Sequence, residues 1–236
     1  SKIAKNSTKP IIIGYVRAGK KNIYNSAAIC FDGKIQSSHD KVLLPTYDVF
    51  DEERYFTSGI EPKVSTIPVG ENVINVGLQI CEDLWDNNYN CKVSTMQKEL
   101  GANIIINISA SPFHKDRLVK RRSIIEEKVK SLNLPFLYCN MVGAQDELIF
   151  DGQSIGLSDS GNLIAYGNPF EEEVILVNTD RNQELEVSFQ STEEKTYNAL
   201  CLGVKDYFYK TGHKEAVVGL SGGIDSALVA AIATEA

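Results

Sequence analysis

Two stretches of this chain hold residues whose types and spacing can do chemistry. One is Ser221-Gly222-Gly223-Ile224-Asp225-Ser226, entered from the apolar run Val217–Leu220 and followed by the helix-forming run Ala227–Ile232. Two glycines let the backbone turn tightly and bring amide N–H groups close to an anion. The new helix adds free N–H groups and the positive end of its dipole. Ser221 and Ser226 supply hydroxyls, and Asp225 is placed to fix the loop or to hold a Mg²⁺. Strand, loop and helix in that order make a phosphate cradle; the plainer reading is a tight turn before a helix. No lysine completes the G-x-x-x-x-G-K-[ST] pattern, so this is another kind of phosphate loop.

The other stretch centres on Cys81, which directly follows the strand-like run Val73–Ile80 and precedes Glu82-Asp83-Leu84-Trp85. A residue at the C-terminal end of a buried strand projects toward the crevice where ligands bind. A sharp turn there would expose the sulfur and aim the next backbone N–H at a developing oxyanion. A thiol near its free pKa is mostly protonated at neutral pH, so it needs a base or a cation beside it. Lys41, in His39-Asp40-Lys41-Val42-Leu43-Leu44-Pro45-Thr46-Tyr47, is a candidate cation, since a compact ammonium can stabilise a tetrahedral oxyanion. Chemistry alone leaves both open, because most buried cysteines only pack and most lysines are solvated.

The elements that must position these residues alternate between strand and helix signals. Ile11–Val16 reads as a buried strand, and Asp32-Gly33 is a two-residue hairpin signal between Ala27–Phe31 and Lys34–Ser37. A helix from Lys92 to Leu100 ends at Gly101, and Ile104–Ile108 is another buried strand. A long helix follows from Lys115 to Asn133, with Leu118, Ile125, Val129 and Leu132 on one face. Pro135 stops it and Phe136–Cys139 opens a strand. Ser154–Leu157 and Asn162–Tyr166 form a second hairpin, and Glu173–Val177 reads as one more strand. Asp180–Gln190 is polar and aperiodic, hence a linker. Ser191-Thr192-Glu193-Glu194 then opens a helix with a capping box, its apolar face being Tyr197, Leu200, Cys201, Val204 and Phe208. Ala216–Leu220 reads as the strand that leads into the phosphate loop. The expected organisation is a first domain over residues 1–180, a linker over 181–190 and the start of a second domain over 191–236.

With 236 residues, 43% of them hydrophobic and 23% charged, the composition is globular. The net charge of −7 gives no general affinity for nucleic acid or membrane surfaces. The basic cluster Lys115, Arg117, Lys120, Arg121 and Arg122 reads as a solvated helix face. Five widely spaced cysteines without a C-x-x-C argue against a disulfide framework or a zinc site and for a reducing cytoplasm. These residues show no signal-peptide pattern and no run of about 18 apolar residues, and the expectation is a soluble protein. The chain begins on Ser1 and stops at Ala236 inside a helix that has just begun. The expectation is therefore a fragment, cut at both ends.

The motif Ser221-Gly222-Gly223-x-Asp225-Ser226 resembles the pyrophosphate loop of the N-type ATP pyrophosphatase family. Lys41-x-x-Leu44-Pro45-x-Tyr47-x-x-Phe50-x-Glu52-x-Arg54, with Ile80-Cys81-Glu82-Asp83-x-Trp85, resembles the nitrilase-type glutaminase domain. Asn107-Ile108-Ser109-Ala110-Ser111-Pro112-Phe113 fits as well, as does Asn140-x-x-Gly143 with Phe150-Asp151-Gly152-x-Ser154. In this order the two halves resemble the glutamine-dependent NAD⁺ synthetase family over nearly the whole chain. That resemblance implies an α/β fold: a nitrilase-like four-layer α-β-β-α sandwich, then the first elements of a Rossmann-like parallel α/β domain. It implies Cys81 as nucleophile, Lys41 as oxyanion stabiliser and Glu52 as an auxiliary acid that orients Lys41. Tyr47, Ser111 and Arg117 would bind glutamine, with Glu82 and Trp85 lining the same pocket; Arg117 stands where the family more often has lysine. Ser221, Gly222, Gly223, Ile224, Asp225 and Ser226 would hold the pyrophosphate of ATP, with Mg²⁺ at Asp225 and no prosthetic group. The other substrate implied is nicotinic acid adenine dinucleotide, and the implied assembly is a homo-oligomer.

The family's triad also holds a glutamate well upstream of the lysine. Only Asp32 and Asp40 supply carboxylates before Lys41, and neither stands in that context. The expectation is that this polypeptide, as given, does not hydrolyse glutamine efficiently. Two further readings are weighed: another ATP pyrophosphatase amidotransferase, such as a GMP or asparagine synthetase, and a non-catalytic assembly module. The Lys41 and Cys81-Glu82-Asp83 contexts argue against the former.

Overall fold

The computed structural model describes residues 2–181 and 183–236. After a short helix α1 (Lys2–Asn6), strands β1 (Ile11–Ala18), β2 (Ile23–Phe31) and β3 (Lys34–Asp40) form an antiparallel sheet in the order β1-β2-β3. The β2–β3 turn puts Asp32 at φ 49° and Gly33 at φ 74°. Two left-handed residues match the turn to the twist of the strands, which is what Asp-Gly signals.

A second sheet has six strands in the order β11-β10-β7-β6-β5-β4. Its centre is the parallel trio β5 (Asn72–Ile80), β6 (Ile104–Ser109) and β7 (Phe136–Asn140), joined by helices α2 (Val93–Glu99) and α3 (Arg117–Leu132). Parallel neighbours need such crossovers. Strands β4 (Val64–Val69), β10 (Ile155–Leu157) and β11 (Leu163–Tyr166) extend it antiparallel. Between β7 and β10 a separate hairpin forms from β8 (Val142–Gln145) and β9 (Leu148–Asp151).

Period-two alternation divides the strands between two cores. Val76, Leu78 and Ile80 of β5 join Ala27 and Ile29 of β2 and Ile67 of β4 between the sheets. Ile105, Phe136, Tyr138, Ile155 and Leu157 pack on the other face with Leu118, Ile125, Val129 and Leu132 of α3. Helices, large sheet and small sheet thus stack in layers, with α1 against β2. Asn133, at φ 52°, ends α3 in the left-handed region.

Several expectations are corrected. β1 is an edge strand rather than a buried one, with Ile11 and Val16 exposed. Glu173–Val177 makes no ladder; Ile175 and Val177 are half-buried and, with Glu173, line a cavity shared with Ile106 and Leu137. Arg121 is no solvated cation: it is fully buried, held by Asp151 Oδ1 at 3.2 Å and the carbonyl of Gly152 at 3.2 Å. The polar stretch 180–190 carries Leu185 and Val187, which pack on the α3 core, and the Leu185 N–H donates to the Leu163 carbonyl at 2.7 Å.

Helix α4 (Thr192–Thr211) opens on the Ser191/Glu194 capping box and lies against β8 and β9. Asp206 Oδ2 accepts the Ala144 N–H at 2.7 Å, and Lys210 Nζ donates to the Ala144 carbonyl and to Asp206. Leu200 is exposed, so the apolar face is narrower than its pattern implies. Ala216–Leu220 is not a strand; no neighbouring strand among the described residues offers it a ladder. Helix α5 (Ile224–Glu235) follows the loop and packs on α4.

Candidate active site

Cys81 sits where β5 ends and a single 3₁₀ turn, Cys81–Leu84, begins. Its φ is 43°, the left-handed region that a β-carbon disfavours. The strain persists because the turn is tied down: the Ile80 N–H donates to Asp83 Oδ2 at 3.0 Å, and Asn107 Nδ2 donates to the Cys81 carbonyl at 3.3 Å. Lys41 follows β3 and is buried; its N–H donates to the Asn25 carbonyl at 2.8 Å. Its ammonium donates to Glu52, whose other oxygen accepts Asn25 Nδ2 at 2.6 Å.

The two side chains meet in one cavity of about 370 Å³, lined by Asn25, Lys41, Glu52, Cys81 and Ser109 among others. Burial pushes the Cys81 thiol above its ordinary value; the Lys41 ammonium and a hydrogen bond from Ser109 pull it back, and Glu82 and Glu52 push it up again. The resting sulfur is therefore a thiol beside a cation.

Glu82, the residue after Cys81, lines a larger cavity of about 680 Å³ together with Tyr47, Trp85, Tyr89 and Lys120 among others. Tyr47 Oη lies 2.9 Å from both Glu82 oxygens and Tyr89 Oη 3.0 Å from Oε1. Burial raises the Glu82 carboxyl, while the two tyrosines and Lys41 lower it and Asp83 opposes them. The Arg117 guanidinium lies 5.6 Å from the Trp85 ring centre, with Nε buried and unpartnered among the described residues.

Neither Arg117 nor the buried Ser111 lines either cavity. The Ser111 N–H donates to Asn140 Oδ1 at 2.9 Å, and Asn140 Nδ2 donates to Asp151 Oδ1 at 3.1 Å, the oxygen that also receives Arg121. Asn140 and Asp151 thus belong to a buried polar network behind the site. Asp40 is held by Arg17 through two bonds of 2.7 and 2.6 Å and by Ser26 at 2.6 Å, away from Lys41.

Sequence reasoning missed Asn25, Tyr89 and Ser109. Ser109 lies inside a quoted motif, but nothing in the spacing announces that Asn25 and Tyr89 reach Glu52 and Glu82.

In the loop before α5, the Ser221 N–H donates to Ser226 Oγ at 3.2 Å and Ser226 Oγ donates to the Gly223 carbonyl at 3.0 Å. Gly222 takes φ 85°, and Ser221, Gly222, Gly223, Ile224 and Asp225 are exposed. A Mg²⁺ there would find one carboxylate and two hydroxyls, an oxygen set that suits the ion only if phosphate oxygens and water complete it. No cluster of three or more His, Cys, Asp or Glu side chains suited to a metal occurs among the described residues. Nor is any described helix long and apolar enough to cross a membrane.

Residues 1–187 match the carbon-nitrogen hydrolase family and residues 196–236 the NAD synthase family. A glutamine-dependent NAD(+) synthetase of Synechocystis is 40% identical over 233 residues, 93% of this chain and 41% of that protein. The enzyme of the same name from Thermotoga maritima is 38% identical, over 96% of this chain and 44% of its own length. The chain therefore spans under half the length of the curated relatives it matches. Among solved structures, a glutamine-dependent NAD+ synthetase from Acinetobacter baumannii, in complex with ADP, superposes with a TM-score of 0.89 at 30% identity, covering 99% of this chain and 44% of that one. A carbon-nitrogen hydrolase from Helicobacter pylori shares the fold at a TM-score of 0.62 and 24% identity, over 72% of this chain and 62% of that one.

Proposed function

The chain belongs to the carbon-nitrogen hydrolase family, and from that premise we propose that it carries the glutamine-splitting part of a glutamine-dependent NAD⁺ synthetase. The observation that carries this reading is the shared cavity of Cys81 and Lys41, in a chain whose last residues match NAD synthase.

Glutamine enters with its side-chain carboxamide beside Cys81 and its α-carbon in the larger cavity. Glu82, aligned by Tyr47 and Tyr89, receives the α-ammonium, and Arg117, beside Trp85, pairs with the α-carboxylate. Ser111 supports the pocket from behind. The Cys81 sulfur attacks the carboxamide carbon while its proton passes to a base and then to the departing nitrogen. Ammonia leaves, and water hydrolyses the γ-glutamyl thioester to glutamate. Lys41 and the Glu82 backbone N–H stabilise the oxyanion, and Glu52 holds the ammonium in place. The base is the family's upstream glutamate; Asp40 is committed to Arg17. These 236 residues are accordingly expected to release ammonia slowly.

In the second reaction the carboxylate of nicotinic acid adenine dinucleotide attacks the α-phosphate of ATP. Pyrophosphate departs into the loop of Ser221, Gly222, Gly223, Ile224, Asp225 and Ser226, and ammonia then displaces AMP from the acyl-adenylate to give NAD⁺. Mg²⁺, when bound beside Asp225, neutralises phosphate charge. The domain boundary falls in 181–190, the protein is cytoplasmic with free thiols, and it assembles as a homo-oligomer. The test is to incubate the polypeptide at its natural full length with glutamine, ATP, Mg²⁺ and nicotinic acid adenine dinucleotide. Glutamine-dependent NAD⁺ formation supports the reading, and its absence in a Cys81-intact protein that still forms NAD⁺ from free ammonia refutes the glutaminase half.

A further inference from the structure

One carboxylate joins the two segments that carry the proposed chemistry. Asp83 is fully buried, two residues past Cys81. Its Oδ1 accepts the backbone N–H groups of Val42 and Leu43, each at 3.0 Å. Those are the two residues that follow Lys41. Its Oδ2 accepts the Ile80 N–H at 3.0 Å, from the residue before Cys81, and lies 2.9 Å from His39 Nε2. His39 is itself 1% exposed, two residues before Lys41.

Nε2 donates its proton to the carboxylate, and Nδ1 is buried without a partner among the described residues. A buried carboxylate with four donors is well satisfied. It is also a rigid link, because those donors come from both sides of the cavity. β3 and β5 lie in different sheets, so no strand ladder fixes Lys41 against Cys81.

We propose that Asp83, held by His39, is the positioning residue that sets the separation of the Lys41 ammonium from the Cys81 sulfur. The inference rests on the Lys41–Cys81 pair of the proposed function. Asp83 touches neither substrate nor the reacting atoms; it acts through the backbone of both segments. Asn in its place keeps the shape but presents one acceptor oxygen and two N–H donors. Either the Val42/Leu43 pair or the Ile80 N–H then loses its acceptor, and one segment comes loose.

The test is a double-mutant cycle on iodoacetamide labelling of Cys81, read by peptide mass spectrometry in the chain as it stands. Lys41→Met should slow labelling about tenfold at pH 7.5 in the wild-type background, as loss of a neighbouring cation does. In Asp83→Asn it should slow labelling less than twofold. An equal slowing in both backgrounds overturns the proposal. Should Asp83→Asn not fold, His39→Gln takes its place, with a residual Lys41 effect of about threefold expected and a full tenfold effect contradicting the link.

Amide hydrogen exchange separates this inference from the reading beneath it. In Asp83→Asn the Val42 and Leu43 amides, or the Ile80 amide, should lose at least about tenfold in protection while other amides of β5 keep theirs. Unchanged exchange at all three overturns the link even if Lys41→Met slows labelling. If Lys41→Met has no effect in wild type while those amides respond, the link stands and the proposed catalytic pair falls.

Discussion

Gly59 offers a way to move Lys41 without touching it. The Gly59 N–H donates to the Lys41 carbonyl at 2.8 Å. A β-carbon there would lie 2.3 Å from the Asp40 carbonyl oxygen and 3.1 Å from its carbon. Both are backbone atoms, so no side chain can swing aside. The Asp40–Lys41 peptide must retreat by roughly 1 Å, and it is pinned on its other side by the Lys41 N–H to Asn25 and by Arg17 on Asp40. Overpacking of this kind costs about 1–3 kcal/mol, or roughly 2–4 °C of melting temperature per kcal/mol in a chain of this size. A misplacement of about 1 Å at a catalytic group costs on the order of 100-fold in rate. Gly59→Ala is therefore expected to melt several degrees lower and, at natural full length, to lower kcat for glutamine about 100-fold. The glutamine KM should change little, since Tyr47 is held by its own bond to Glu82. Gly219→Ala, which meets nothing within 4 Å, is the control. Wild-type kcat in a folded Gly59→Ala protein would refute the claim that this peptide aims Lys41.

Other outcomes follow from buried charge. The Glu82 carboxyl stands above its ordinary value, chiefly through burial, so acidification protonates it sooner than a free carboxylate. The glutamine KM should rise as pH falls through that range and lose this dependence in Glu82→Gln. The linkage has the opposite sign for stability: a raised carboxyl stabilises the fold when protonated and costs stability once pH exceeds its folded-state value. Glu82→Gln should thus raise the melting temperature at pH 8 relative to wild type, with less gain at pH 4. Arg121→Met leaves Asp151 buried without its cation, and urea denaturation should show a loss of about 3–5 kcal/mol. Asp206→Ala removes the acceptor of the Ala144 N–H; a loss of about 1–3 kcal/mol with faster exchange at Ala144 is expected.

What the sequence made legible was what repeats locally. Apolar runs announced β5, β6 and β7, Asp32-Gly33 its hairpin and Ser191/Glu194 its cap, because each depends on residues a few positions apart. The nitrilase-like layering came from motif resemblance, since periodicity does not say which sheet a strand joins. Cys81 and Lys41 stood out for their contexts. Tyr89 on Glu82, Asn25 on Glu52 and Asp83 on Val42 did not, because those meetings are made by tertiary packing. The same cause explains the misread segments. Ala216–Leu220 and Glu173–Val177 have strand-like composition, but a strand exists only where a neighbour completes its hydrogen bonds. Arg121 carries the sequence signature of a surface cation and is the side chain around which Asp151 and Gly152 close.

The account depends most on electrostatic contact between the Lys41 ammonium and the Cys81 sulfur, and the pH profile of Cys81 alkylation measures it directly. Lys41 draws the thiol down against the effect of burial. The Lys41→Met profile should therefore be displaced to higher pH, with the four other cysteines unmoved. Lys41→Met/Glu52→Gln, which removes the opposing carboxylate too, should be displaced less. Superimposable profiles for wild type and Lys41→Met would contradict the account.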